Sequence, residues 1–196
     1  MWRTIPVRRI KVGCPDSYDV QKFSSTIFEH SSGLCCIKGN IKVHKQKLLI
    51  AVIGGHKCNK KTEKIAKGLG REIANLGAIL VCGGLGGVMQ AAAKGAKEFG
   101  GITVGILPTD NKNDANPYID IPIATGLGYT RNTLVTTAAD IIIALPGEYG
   151  TLSEMGFALN AKKTVISLGS WKIKGAVRFK SVKQAIEFIK RRFLNA

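Results

Sequence analysis

AILVCGGLGGVMQAAAKGAKEF, residues Ala78 to Phe99, decides the fold. Ala78–Cys82 is a short, fully apolar run, which suits a parallel strand buried on both faces. Gly83-Gly84-Leu85-Gly86-Gly87 follows as a tight turn, and Val88–Phe99 continues as a small, Ala-rich segment that reads as a helix packed closely on a sheet. Gly100-Gly101 ends it, and Ile102–Leu107 is a further apolar run stopped by Pro108. Strand, glycine turn, helix and strand in about 30 residues is a βαβ unit.

The same rhythm extends in both directions. Upstream, Leu48–Ile53 is an apolar strand ending in Gly54-Gly55, and Thr62–Leu76 is a helix with Ile65, Leu69, Ile73 and Leu76 on one face, closed by Gly77 at C′. Downstream lie a polar loop at Thr109–Pro117, a strand at Tyr118–Ile123 and a helix at Tyr129–Ala138. Asp140–Leu145 is a buried strand, Thr151 to Asn160 a helix, Thr164–Leu168 a strand and Ser181–Phe193 a terminal helix. The prediction is one α/β domain over 48–196: a Rossmann-like, doubly wound parallel sheet in three layers.

Residues 1–47 read as a poorly defined N-terminal extension. MWRTIPVRRIKVG alternates enough to suggest a strand, while the stretch after it has no sustained period. A shorter product starting nearer Leu48 would need a non-Met start codon, because the next Met is Met89; a native peptide from before Val43 would exclude that.

Composition narrows the function. The 196 residues are 45% apolar and 21% charged, which suits a globular chain. The net charge of +16 raises a polyanion as partner. It collects at the two ends, however: Lys162 to Arg192 holds ten bases and one acid, and residues 1–47 hold nine and three. The glycine turns lie in the milder centre, so a nucleic-acid partner is not expected. Five cysteines in no CxxC or disulfide spacing favour a reducing compartment, and no apolar run reaches the roughly 18 residues of a membrane span. The expected location is the cytoplasm. His30, His44 and His56 form no metal-binding pattern, so no metal is expected.

In a doubly wound sheet, ligands bind outside the carboxyl ends of the strands. Gly54–Lys61, Gly83–Gly87, Pro108–Asn116 and Pro146–Thr151 all fall there. Two of these turns lead directly into helices, whose first N–H groups and positive dipole end suit phosphate. GGLGGVM is neither GxGxxG nor a Walker A loop. Thr151-Leu-Ser-Glu154 also fits a capping box, with Thr151 and Glu154 satisfying each other's backbone donors. Arg131, at a predicted helix start, opposes the helix dipole, and an anionic ligand would account for it.

GGLGGVMQAAAKGAKEFGGITVGILP, then Arg131, then DIIIALPGEYGTLSE resembles the LOG (SLOG) family over about Leu48 to Leu168. The family includes cytokinin-activating phosphoribohydrolases and a smaller branch with molybdenum-cofactor carriers. The resemblance implies a Rossmann-like fold and a homodimer, or a higher homo-oligomer, formed through helices beside the site. It implies a pocket lined by Gly54, Gly55, Gly83, Gly84, Gly86, Gly87 and Pro108, a 5′-phosphate held by Gly147, Gly150 and Thr151 beside Glu148, and Arg131 and Glu154 as catalytic residues. No metal or cofactor is implied. The reaction would cleave the N-glycosidic bond of a nucleoside 5′-monophosphate to free base and ribose 5-phosphate. Phosphoribohydrolases carry PGGxGTxxEE-like motifs with an Arg-Lys pair. Here Glu148 replaces the second glycine, Asn132 the Lys, and Ser153 an acid. These departures bring the chain closer to the smaller branch, so the alternative is a non-catalytic carrier or sensor of a nucleotide-like ligand such as the molybdenum cofactor.

Overall fold

Strand β1, Leu49–Ile53, runs through the middle of the molecule with Ile50 to Ile53 buried. Its alternate side chains enter two different cores, which is the signature of a sheet covered on both faces. In the computed structural model, which describes residues 46–194, β1 is followed by α1 (Lys60–Asn75), β2 (Ile79–Cys82), α2 (Val88–Lys97), β3 (Ile102–Leu107) and β4 (Ile121–Ala124). Then come α3 (Asn132–Ala138), β5 (Ile141–Ala144), α4 (Tyr149–Asn160), β6 (Thr164–Ser167), β7 (Val177–Arg178) and α5 (Val182–Ile189). All seven strands are parallel, in the order β4-β3-β2-β1-β5-β6-β7.

Ile50, Val52, Leu80, Ile141, Ile143 and Ile166 pack on one face against Leu69 and Ile73 of α1, Val88 and Ala92 of α2, and Ile186 and Ile189 of α5. Ala51, Ile53, Val81, Ile142 and Val165 pack on the other against Val135 of α3 and Met155 and Ala158 of α4. This is the three-layer, doubly wound arrangement expected from the alternation of strands and helices. The expected strand in residues 1–13 and all of the extension up to residue 45 lie outside the described residues. No helix among the described residues is long and apolar enough to cross a membrane.

Local boundaries differ from the sequence expectation where a polar side chain intervenes. Helix α1 begins before Thr62 because Asn59 caps it, its Oδ1 accepting the Thr62 N–H at 2.8 Å. Strand β4 starts at Ile121 instead of Tyr118. Residues 116–120 turn instead: Asn116 accepts from Tyr118 N, and the Asp120 carboxylate accepts from Thr103 N and Lys97 Nζ. The segment 129–138 opens as a 3-10 turn, Gly128–Arg131, before α3. The terminal helix is α-helical only to Ile189 and continues as a π-helical turn over Lys190–Leu194. Strand β7, two residues long at the sheet edge, was not expected.

Candidate functional site

The chain leaves β1 towards β2 on one side and enters β6 from β5 on the other, so β1 and β5 flank the point where strand order reverses. A crevice at their carboxyl ends follows from that topology. Gly55 N donates to Pro146 O at 3.0 Å and joins the two strand ends. Around them lies a cleft of about 570 Å³. Ten of the sequence-predicted site residues line it: Gly54, Gly55, Gly83, Pro108, Arg131, Gly147, Glu148, Gly150, Thr151 and Glu154.

Gly84, Gly86 and Gly87 stand behind this wall. Gly84 packs on Leu107 and Gly105, and its carbonyl accepts from Asn116 N and Nδ2. Gly87 has φ 63°, and a side chain there would run into the carbonyl oxygens of Gly55 and His56. Val88, the first residue of α2, already donates its N–H to Gly55 O at 3.1 Å. The glycine run after β2 thus seals α2 against the β1 turn.

The turn after β5 is built differently. Helix α4 starts at Tyr149, with Glu148 as N-cap, and no side chain caps it. The first helical bond is Leu152 N to Glu148 O at 3.1 Å. The N–H groups ahead of it have no intrahelical acceptor and face a cleft with the positive end of the helix dipole behind them. Gly147 has no room for a side chain, because a Cβ would strike the Thr151 hydroxyl and Gly55 N. The capping-box reading of Thr151 and Glu154 is therefore overturned: with the helix starting at Tyr149, Thr151 lies inside its first turn. Both residues are buried, and Glu154 reaches Arg131, not the Thr151 backbone.

Arg131 is only 7% exposed. Burying a guanidinium is costly unless its donors are met. Nη1 donates to Asn132 Oδ1 at 2.5 Å and lies 3.6 Å from Glu154 Oε1, and Nη2 donates to Gly83 O at 3.4 Å. Asn132 Nδ2 in turn donates to Gly150 O at 3.5 Å, which ties the turn after β2 to the start of α4. Among the described residues, buried Nε has no partner. Burial holds the Arg131 pKa below the ordinary arginine value, against the pull of Glu154. Burial likewise pushes the Glu154 carboxyl up to about 7, although Arg131 draws it down. Glu154 is therefore the member of the pair that changes charge near neutral pH.

Sequence reasoning missed several neighbours. Met89, Gly128 and Tyr129 also line the cleft, as do His56, Lys57 and Leu85, which lie inside the turns named above without being singled out. Asn132 was noticed only as a departure from an Arg-Lys pair, yet it links Arg131 to α4. Trp171, in the loop after β6, donates Nε1–H to Gly147 O at 3.0 Å and stacks on Tyr149. Nothing in its surrounding sequence pointed to the site. Among the described residues no three His, Cys, Asp or Glu side chains gather as a metal site, and Cys58 and Cys82 are free thiols.

A doubly wound parallel sheet, a cleft at its switch point, an open helix N-terminus and a buried arginine define a Rossmann-like protein that binds a nucleotide-like ligand. The chain belongs to the SLOG cluster4 family, which it matches over residues 47–193. An uncharacterized protein of Archaeoglobus fulgidus is 47% identical over 119 residues, 61% of this chain and 78% of that protein. The molybdenum cofactor binding protein of Rippkaea orientalis superposes with a TM-score of 0.71 at 36% identity, covering 74% of this chain and 97% of that one. The Moco carrier protein of Chlamydomonas reinhardtii gives 0.70 at 34% identity, covering 77% of this chain and all of that one (100%).

Proposed function

We propose that this chain binds a phosphate-bearing pterin cargo, the molybdenum cofactor, in the cleft between β1 and β5 and carries it without turning it over. The observation behind this reading is that the uncapped N-terminal turn of α4 and the buried Arg131, whose Nε is unpartnered, meet at one cleft. The α4 N–H groups of Gly150 and Thr151 would hold the phosphate, with a dipole contribution of about 0.3–1 kcal/mol, rising to about 2 where partly buried. The planar ring would lie along the glycine wall of Gly54, Gly55 and Gly83, where the absence of side chains permits close approach. The identity to two proteins described as binding or carrying this cofactor, across nearly their whole length, supports the choice of cargo. Glu148 in place of a glycine supports carriage over catalysis, because a carboxylate at the phosphate turn weakens the grip on a dianion and favours release. Glycine-lined Gly84, Gly86 and Gly87 would act through packing. The free thiols fit a cytoplasmic location. A homodimer would cover exposed Leu134 and Phe157 on α3 and α4.

A second reading rests on Glu154. A carboxyl with a pKa of about 7 beside Arg131 suits hydrolysis of a nucleoside 5′-monophosphate, Glu154 ordering water at the anomeric carbon and Arg131 steadying charge on the departing base. One preparation separates the two. The chain, expressed in a host that makes the cofactor, is assayed for molybdenum and for pterin fluorescence after oxidation. The same protein is incubated with AMP, GMP, IMP, CMP and UMP and the products are resolved by chromatography. Carriage predicts co-purified molybdenum and pterin, lost in Arg131→Ala, and no free base. Free base that vanishes in Arg131→Ala, without pterin, would establish the hydrolase.

A further inference from the structure

On the sheet face opposite α3 and α4, helices α1 and α5 enclose a groove of about 640 Å³ that shares no lining residue with the cleft. Its floor is apolar, formed by Ile65, Val182 and Ile186. Gly68 keeps it open: a Cβ added there meets nothing within 4 Å. The rims are cationic, with Lys64 and Arg71 on α1, Lys183 on α5 and Lys190 at the start of the π-helical turn after it. The two rim carboxylates are already engaged, Glu72 with Arg71 at 3.4 Å and Glu187 with Arg191 at 2.8 Å. Among the described residues, Lys64, Lys183 and Lys190 have no ion-pair partner.

We infer that this groove docks an acidic amphipathic helix of another protein. From Lys64 to Arg71 the α1 rim covers two helical turns, roughly 10 Å at the usual rise. Apolar anchors at i, i+3, i+4 and i+7 of a docked helix span the same length. Three unpaired lysines along both rims repel one another, and acidic residues flanking those anchors relieve that repulsion. Charge rules out the occupant nearest to hand. A second copy would bring the same cations face to face. The concave apolar floor disfavours nucleic acid, which would leave it uncovered, and a flat anionic bilayer, which could not reach it. Because groove and cleft are separate, a partner seated here leaves the cleft open to load or unload, and the inference holds whichever ligand the cleft takes.

The test uses a fluorescent helical peptide of about 14 residues with Leu at i, i+3, i+4 and i+7 and Glu on the flanks, titrated with the full chain in fluorescence anisotropy. A peptide with Lys replacing every Glu is the control. The acidic peptide is expected to bind at least about tenfold more tightly than the basic one, with a preference that falls as salt is raised. Gly68→Phe should fill the groove and weaken binding at least about tenfold while leaving the melting temperature equal or higher, since glycine is the poorer helix former. Lys183→Glu with Lys190→Glu should weaken it similarly without touching the floor. Equal binding of the two peptides, or full binding to Gly68→Phe, would overturn the inference. So would retention of anionic vesicles or a single-stranded oligonucleotide by this face, removed by the same charge reversals, when the acidic peptide is not bound.

Discussion

The turns after β2 and after β5 look alike in the sequence: each is a glycine-rich passage from a buried strand into a helix. In the structure neither helix has a side-chain cap, but among the described residues only α2 has its first N–H taken by a neighbouring turn. The turn at Gly83–Gly87 is closed, with Val88 N–H bound to Gly55 O, Gly84 O held by Asn116, and Gly87 forced to φ 63° against the β1 turn. The turn at Pro146–Thr151 is open, its helix uncapped and its backbone fixed from outside by Trp171. The first glycine run is packed tightly against the β1 turn, and the second leaves the first N–H groups of α4 without a backbone acceptor among the described residues. The lesson is that glycine density marks where backbones come close, and the fate of the first N–H groups decides whether an anion can enter.

The largest effect expected is at the residue that joins the two turns. Arg131→Ala strips Gly83 O and Asn132 Oδ1 of their donor and leaves Glu154 buried without its counter-charge. Removing one partner of a buried pair costs about 3–5 kcal/mol, so urea unfolding should show a loss of that order at pH 8. The loss should be smaller at pH 6, where Glu154 takes up a proton. Equal losses at both values would mean that the pair is not electrostatically coupled.

Next comes the closed turn itself. Gly87→Ala places a Cβ on a left-handed backbone against two carbonyl oxygens. It should cost about 1–3 kcal/mol in chemical denaturation yet leave the affinity for AMP nearly unchanged. A large loss of affinity at preserved stability would assign that turn to the ligand and erase the contrast.

A third prediction concerns pH. The folded pKa of Glu154, about 7, lies above the model carboxyl value of 4.5, so the native state binds the extra proton. Stability then falls as pH rises from about 5 to 8, by an order of 2–3 kcal/mol for this one group. Stability of the wild type minus that of Glu154→Gln, followed over that range, should carry this slope. A flat difference would place the ordinary carboxyl value on Glu154.

The smallest effect is at the open turn. Glu148→Gln removes a negative charge from the phosphate end of the cleft without changing its shape. Affinity for AMP should rise by about two- to fivefold at low salt, with the gain fading as salt screens it. A weaker affinity would mean that Glu148 itself contacts the ligand.

Much of this was legible in the sequence, for a physical reason. Strands β1, β2, β3, β5 and β6 are apolar on both faces because helices cover both, so they stand out as short continuous runs. Strand β4 lies at an edge, where Ile121 and Ile123 remain about half exposed (49% and 44%), and polar bonds from Asn116 and Asp120 delay its start. Strand β7 is too short to leave a pattern. At the site, the glycine turns, Arg131 and Glu154 were visible as residues, while their arrangement was not. Thr151 to Glu154 fits a capping box in sequence, and only the start of α4 at Tyr149 shows it to be interior. Asn132 and Trp171 act through single hydrogen bonds across the fold, to Gly150 and to Gly147, which no local spacing encodes.

The central claim is that the anion end of the ligand enters at α4 and not at α2. Amide-resolved NMR of the ¹⁵N-labelled chain titrated with AMP tests it most directly. The account predicts saturable shifts at Gly147, Gly150 and Thr151, with the Gly86, Gly87 and Val88 amides left in place. Shifts led by Gly86, Gly87 and Val88, with the α4 amides still, would contradict it.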